Sequence, residues 1–201
     1  MKSEEYRITG LGAGFPEALD ATEKFGAEGG LSRKNGLRLR LMVEELLGLL
    51  RSIAGEVTAD YWLEREEQEY RLCLKADIRM TQEMRKELIR VSTSGENSAA
   101  KGFTGKLREM ISIMLLPKDD NASMVSLGLM SMGSPGGYRA SMGSYEWSMA
   151  QYKAAVEQAE SGEEEKLAKD ELEKSILANA ADEIRIGILG SIVEITVFKA
   201  F

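Results

Sequence analysis

Apolar residues recur at helical spacing most strongly between Ser32 and Ala54, where Leu39, Met42, Leu46, Leu49, Leu50 and Ile53 share one face. Val43 and Leu47 widen that face, while Glu45 falls on the opposite edge with Arg38 and Ser52. The pattern predicts a long amphipathic helix laid on a core, with Ser32 as its N-cap. The rest of the chain is expected to be organised around it. Gly48 sits in its middle, where glycine costs roughly 1 kcal/mol relative to alanine.

Period-two alternation follows. Val57, Ala59, Tyr61 and Leu63 fall on one face, and Tyr70, Leu72, Leu74, Ala76 and Ile78 repeat the pattern after a charged turn over Arg65–Gln68. The two runs predict a β-hairpin, with Asp77 projecting from the face opposite Leu72 and Leu74. The chain closes on a second alternation, Ile184, Ile186 and Ile188, then Val193, Ile195 and Val197. Gly190-Ser191 between them suits a tight turn of the II′ kind. Glu5–Gly10 predicts a short edge strand. Further helices are expected over Pro16–Phe25, Thr81–Val91, Lys106–Leu116, Trp147–Glu160 and Glu163–Ala181. Asn121–Tyr145 is rich in Gly, Ser and Met and predicts a long irregular loop, with a lid or partner surface as the alternative.

The fold class expected is α+β: a mixed or antiparallel sheet of about four to five strands with helices on one face. A single domain spans 1–201, with an insertion at about 81–164.

Composition narrows the function. The chain has 201 residues, 43% hydrophobic and 29% charged, in the range of soluble globular proteins. Its net charge of -7 and pI of about 5.0 argue against nucleic acid and against anionic membranes as partners. The N-terminus has no apolar signal core, no apolar run approaches a membrane span, and Cys73 stands alone, which together suit the cytoplasm. There is no histidine, so imidazole bases, Ser-His or Cys-His pairs and His-ligated zinc are excluded within this chain. Acid–base chemistry is left to carboxylates, Lys and Tyr.

Two phosphate-loop patterns fail on inspection. Gly10, Gly12 and Gly14 follow a strand, but Phe15 stands where the last glycine of G-x-G-x-x-G belongs, so the run reads as a flexible connection. Gly105-Lys106 lacks the P-loop's first glycine, where Ala100 stands, and its Ser/Thr, where Leu107 stands.

Val43–Ile53 (VEELLGLLRSI) resembles the first motif of the GHKL, or histidine-kinase-type, ATPase superfamily. Glu171–Lys199 resembles the closing helix and hairpin of its anti-sigma-factor serine kinase branch, and the order of long helix, hairpin, middle region, helix and hairpin fits. The resemblance implies a helix Glu that activates water or a hydroxyl, which Glu45 matches. It implies an Asn four residues later for the metal carried by ATP, where this chain has Leu49, a side chain without an oxygen ligand. It implies an adenine-reading Asp within D-x-G-x-G, which falls on Asp77, with Arg79 and Thr81 in place of the glycines. Phosphate-seating glycines before the last helix are missing, and Thr104-Gly105 before the Lys106 helix is the substitute. Apart from the resemblance, Glu45 reads as a helix-flank carboxylate paired with Arg38, and Asp77 as a strand-end acid.

The function expected is therefore a regulatory or partner-binding module on a degenerate ATPase-like fold. ATP or ADP is the only cofactor in view, bound weakly or not at all through Asp77 and Gly105, and no metal site of the chain's own is expected. The alternative is a divergent ATP-dependent protein serine kinase or ATPase with Glu45 as catalytic base. A protein partner is expected, and a homodimer is open.

Overall fold

A computed structural model describes residues 1–53, 57–78, 102–115, 138–141, 144–158 and 163–201. Strand β1 (Tyr6–Thr9) leads into α1 (Phe15–Glu28) and the long α2 (Arg33–Ile53). The hairpin β2 (Thr58–Glu66) and β3 (Glu69–Asp77) follows, then α3 (Gly102–Met114) and a second hairpin, β4 (Tyr138–Ser141) and β5 (Ser144–Ser148). Three helices, α4 (Met149–Gln158), α5 (Glu163–Lys174) and α6 (Ile176–Ala180), precede the closing hairpin β6 (Glu183–Leu189) and β7 (Ile192–Ala200).

The fold is α+β. Its sheet has seven strands in the order β1-β2-β3-β7-β6-β5-β4, and every pairing is antiparallel. Five of these strands lie in the segments where the sequence alternates. The other two, β4 and β5, emerge from the Gly/Ser/Met-rich region and from residues expected to begin a helix. They extend the sheet through β5–β6 pairing, Trp147 opposite Ile186. The four to five strands expected therefore undercount the sheet, because these short strands carry little apolar alternation. Asn121–Gly137 and the expected Thr81–Val91 helix lie outside the described residues.

One face of the sheet is buried. Tyr61, Leu74, Ile195, Ile186 and Trp147 form a continuous cross-strand row on it, and all are buried. Helices cover this face. The α2 stripe of Leu39, Met42, Leu46, Leu49 and Leu50 is fully buried, as the periodicity requires. Trp147 touches Phe103 of α3 and Tyr152 of α4, with ring centroids 6.1 and 6.0 Å away. Between α1 and β2, the buried Thr22 hydroxyl donates to the Ala18 carbonyl at 2.7 Å and lies 2.8 Å from the Tyr61 hydroxyl. Thr22 has one proton to give, so Tyr61 is the donor in that contact. Burial raises the Tyr61 pKa, more than the Thr22 hydrogen bond lowers it, and so keeps that proton in place.

The opposite face is a ladder of charge. Arg7, Asp60, Lys75 and Glu194 are register neighbours, with Arg7–Asp60 at 2.8 Å and Lys75–Glu194 at 2.6 Å. Such cross-strand pairs suit a solvated sheet surface.

The turns fix the layout. The glycine run after β1 is a hydrogen-bonded turn rather than a loose connection: the Thr9 N–H donates to Ala13 O at 3.0 Å and the Gly12 N–H to Thr9 O at 2.9 Å. Gly14 has φ +80°, and a Cβ there would stand 2.3 Å from the Arg7 carbonyl, so α1 folds back on β1 only with glycine at this place. In the closing hairpin, positive φ occurs at Gly190 and not at Ser191, as a II′ turn requires. Ser175 interrupts the expected Glu163–Ala181 helix and caps α6 by accepting from the Ala178 N–H at 3.1 Å. Ile176, the first residue after the cap, is exposed.

Candidate functional site

Helical spacing places Glu45 on a flank of α2 with Arg38 and Ser52, next to the edge of the core stripe that carries Leu49. Glu45 is half-buried and Leu49 is 0% exposed. Leu49 belongs to the same buried cluster as Met42, Leu46 and Leu50, so packing occupies the position where the resemblance asks for an oxygen ligand. Helices α6 and α3 both pack on α2, and Arg40 joins α2 to α1 through Glu23. Arg38 exerts its charge on Asp182, just beyond α6. Burial pushes the Asp182 carboxyl up, but the Lys199 ammonium at 2.5 Å, the Ala200 N–H at 2.7 Å and the Arg38 charge together hold it below its ordinary value. Glu45 forms no ion pair with Arg38 among the described residues, so that expected pairing is not made.

Asp77 ends β3 in an exposed position opposite Ile192 of β7. The sequence reading of a strand-end acid on the face away from Leu72 and Leu74 holds. Gly105 is placed differently from its expected role. The helix begins at Gly102, four residues earlier than Lys106, so Gly105 lies inside α3 and is half-buried. It does not sit in a loop ahead of a helix, because the apolar spacing of Phe103, Leu107 and Met110 carries the helix back through Gly102.

The chain also holds a cavity that the sequence reading did not identify. It measures about 420 Å³ and lies on the charged face of the sheet, lined by Glu146, Ser148, Gln151, Arg185 and Gly187, with Trp147 and Ile186 beneath. Gly187 stands between Glu146 and Glu194 in register, and a Cβ there would meet nothing within 4 Å. Its missing side chain is what leaves the dent. Neighbouring groups are tied down. Glu183 accepts from the Ile184 N–H at 2.8 Å and from the Ala150 N–H and the Ser148 hydroxyl, both at 3.3 Å. The Arg185 guanidinium lies 4.9 Å over the Phe198 ring. A glycine inside the alternating EIRIGI run was the one available signal, since interior strand glycines often mark a close approach. The cavity offers one guanidinium, one carboxylate, a hydroxyl and an amide, a set suited to binding a small polar group. It contains none of Glu45, Asp77 or Gly105.

Among the described residues, no three or more Cys, Asp or Glu side chains converge as a metal site, and no helix is long and apolar enough to cross a membrane. No family model matches the chain, and neither a curated protein nor a solved structure matches it.

Proposed function

We propose that this chain is a regulatory, partner-binding module on a histidine-kinase-type ATPase-like fold, whose nucleotide site has degenerated to weak adenine binding or none. The observation that carries the reading is Leu49. At 0% exposure it is a core residue, and no rotation within the helix brings an oxygen to the metal of a bound nucleotide. The element order supports the fold half of the reading: α2, the β2–β3 hairpin, an intervening region, a helix and the β6–β7 hairpin follow one another as the resemblance implies. The placement of Gly105 inside α3 supports the functional half, because the substitute phosphate loop is absent from the described residues.

The competing reading is a divergent ATP-dependent protein kinase or ATPase. It is favoured by Glu45, a half-buried carboxylate on the α2 flank where a general base belongs. A thermal-shift comparison with Mg-ATP and Mg-ADP, combined with a turnover assay on Glu45→Ala, separates the two. A ligand bound only by the native state raises the melting point. The module reading expects little or no shift and no turnover above background. Turnover that disappears in Glu45→Ala establishes the enzyme instead.

A further inference from the structure

Two of the six exposed large apolar side chains among the described residues stand one turn apart on the outer ridge of α2: Leu37, 53% exposed, and Leu41, 43% exposed. The charges around them are arranged in a fixed order. On the α1 side of the ridge, Arg33 is followed eleven residues later by Glu44. On the α6 side, Lys34 is followed eleven residues later by Glu45. Eleven residues are close to three turns, so each cation and its acid share one side of the helix about 16 Å apart. The two pairs are centred half a residue to either side of the Leu37–Leu41 midpoint.

Within the single chain these cations are poorly placed. The first turn of α2 carries no acid, and the helix macrodipole disfavours positive charge there. Arg33 and Lys34 form no ion pair among the described residues. An acidic partner would meet Glu44 and Glu45, and a basic one would meet Arg33 and Lys34. The surface that fits is one with the same charges in reverse order, and an antiparallel copy of α2 supplies it.

We infer that the outer ridge of α2 is a homodimer contact, with the α2 of a second copy lying antiparallel across it. A two-fold axis perpendicular to the helices reverses their direction and leaves each flank on its own side, the isologous arrangement of a symmetric dimer. Leu37 of each copy then packs on Leu41 of the other. Arg33 meets Glu44 of the second copy, and Lys34 meets its Glu45. Glu44 accepts from Arg40 at 3.0 Å, yet its side chain remains 43% exposed and open to a second donor. The arrangement also gives Gly48 a purpose. A Cβ at Gly48 would meet nothing within 4 Å, so the fold of one chain does not require glycine there. In the pair, Gly48 faces the Gly29–Ser32 turn of the second copy, and its bare backbone lets that turn approach.

Sedimentation equilibrium of the full chain at tens of micromolar tests this. The expected mass is twice the 22.2 kDa of one chain. The double variant Leu37→Asp/Leu41→Asp is expected to sediment as a monomer with an unchanged circular dichroism spectrum, since both positions are exposed. Arg33→Glu and Glu44→Arg are each expected to weaken association at least tenfold. The double swap Arg33→Glu/Glu44→Arg is expected to restore it, because both copies then carry the reversed pair. Three results overturn the assignment: a monomer throughout, a dimer that survives the two aspartates, or a charge swap that fails to rescue. None of these variants alters Glu45, so a failure here leaves the nucleotide reading to its own experiment.

Discussion

Replacing Leu49 with asparagine restores the side chain that the ATPase resemblance asks for, and the structure sets the cost. Leu49 is 0% exposed inside the α2 stripe. Removing a fully buried leucine side chain costs about 2–5 kcal/mol. The amide that replaces it adds roughly 1–3 kcal/mol if it finds no hydrogen-bond partner. The sum, about 3–8 kcal/mol, is a large share of the roughly 5–15 kcal/mol that a domain has in total. For a chain of this size each kcal/mol corresponds to about 2–4 °C in melting temperature. Leu49→Asn should therefore melt at least about 6 °C below the parent chain. Leu41→Asn, measured at a chain concentration low enough to keep the α2 contact dissociated, is the matched control, made on the same helix at a position 43% exposed. Its loss should stay near the helix-propensity difference of about 0.5 kcal/mol. Urea unfolding followed by circular dichroism reads both. The reasoning is refuted if Leu49→Asn falls within about 1 kcal/mol of Leu41→Asn.

Four further outcomes follow from particular residues. Tyr61→Phe removes the hydroxyl that donates to Thr22 and should cost about 1 kcal/mol. Tyr70→Phe removes a buried hydroxyl that has no hydrogen-bond partner among the described residues, so it should be neutral or stabilising; paired thermal melts that reverse this order would contradict both assignments. Burial, reinforced by the Glu64 charge and only partly offset by the Thr196 hydrogen bond, pushes the Cys73 thiol up to about 11 from 9.0. Folding thus favours the protonated thiol, and this contribution is intact below pH 9, declines above it and is lost as the pH rises through 11. Labelling with a thiol reagent at pH 8 should be slow in the native chain and fast in urea, and equal rates would show Cys73 to be accessible. Glu67, with φ 53°, holds a left-handed position in the two-residue β2–β3 turn. Glu67→Gly should raise stability by roughly 0.5–1 kcal/mol, and a loss would mean that the turn is not strained.

Most of the fold was legible because its elements obey a single period. Leu39, Met42, Leu46 and Leu50 repeat at helical spacing, and the strand residues Ala59, Tyr61, Leu63, Leu72 and Leu74 alternate. Each set has only one way to bury itself. The β4–β5 hairpin was hidden because register with β6, rather than its own alternation, makes it sheet. The interruption at Ser175 was hidden because a capping hydroxyl inside a helical pattern is indistinguishable from a tolerated one until its bond to the Ala178 N–H is seen. The candidate site was legible in its identities more than in its geometry. Glu45 and Asp77 lie where spacing put them, on a helix flank and at a strand end. Gly105 does not, since the helix it was expected to precede begins at Gly102. The cavity above Gly187 depends on which residues become cross-strand neighbours, and the pairing of β5 with β6 is a long-range event.

In the proposed function, the buried Leu49 removes magnesium-dependent nucleotide chemistry and leaves a module that binds other proteins. Isothermal calorimetry of the full chain with ATP, run once with magnesium and once with a chelator, tests it most directly. The account predicts weak or undetectable heat that is the same in both runs. Tight binding with magnesium that collapses on chelation would contradict it, because the metal would then have found a ligand that the packing of Leu49 denies.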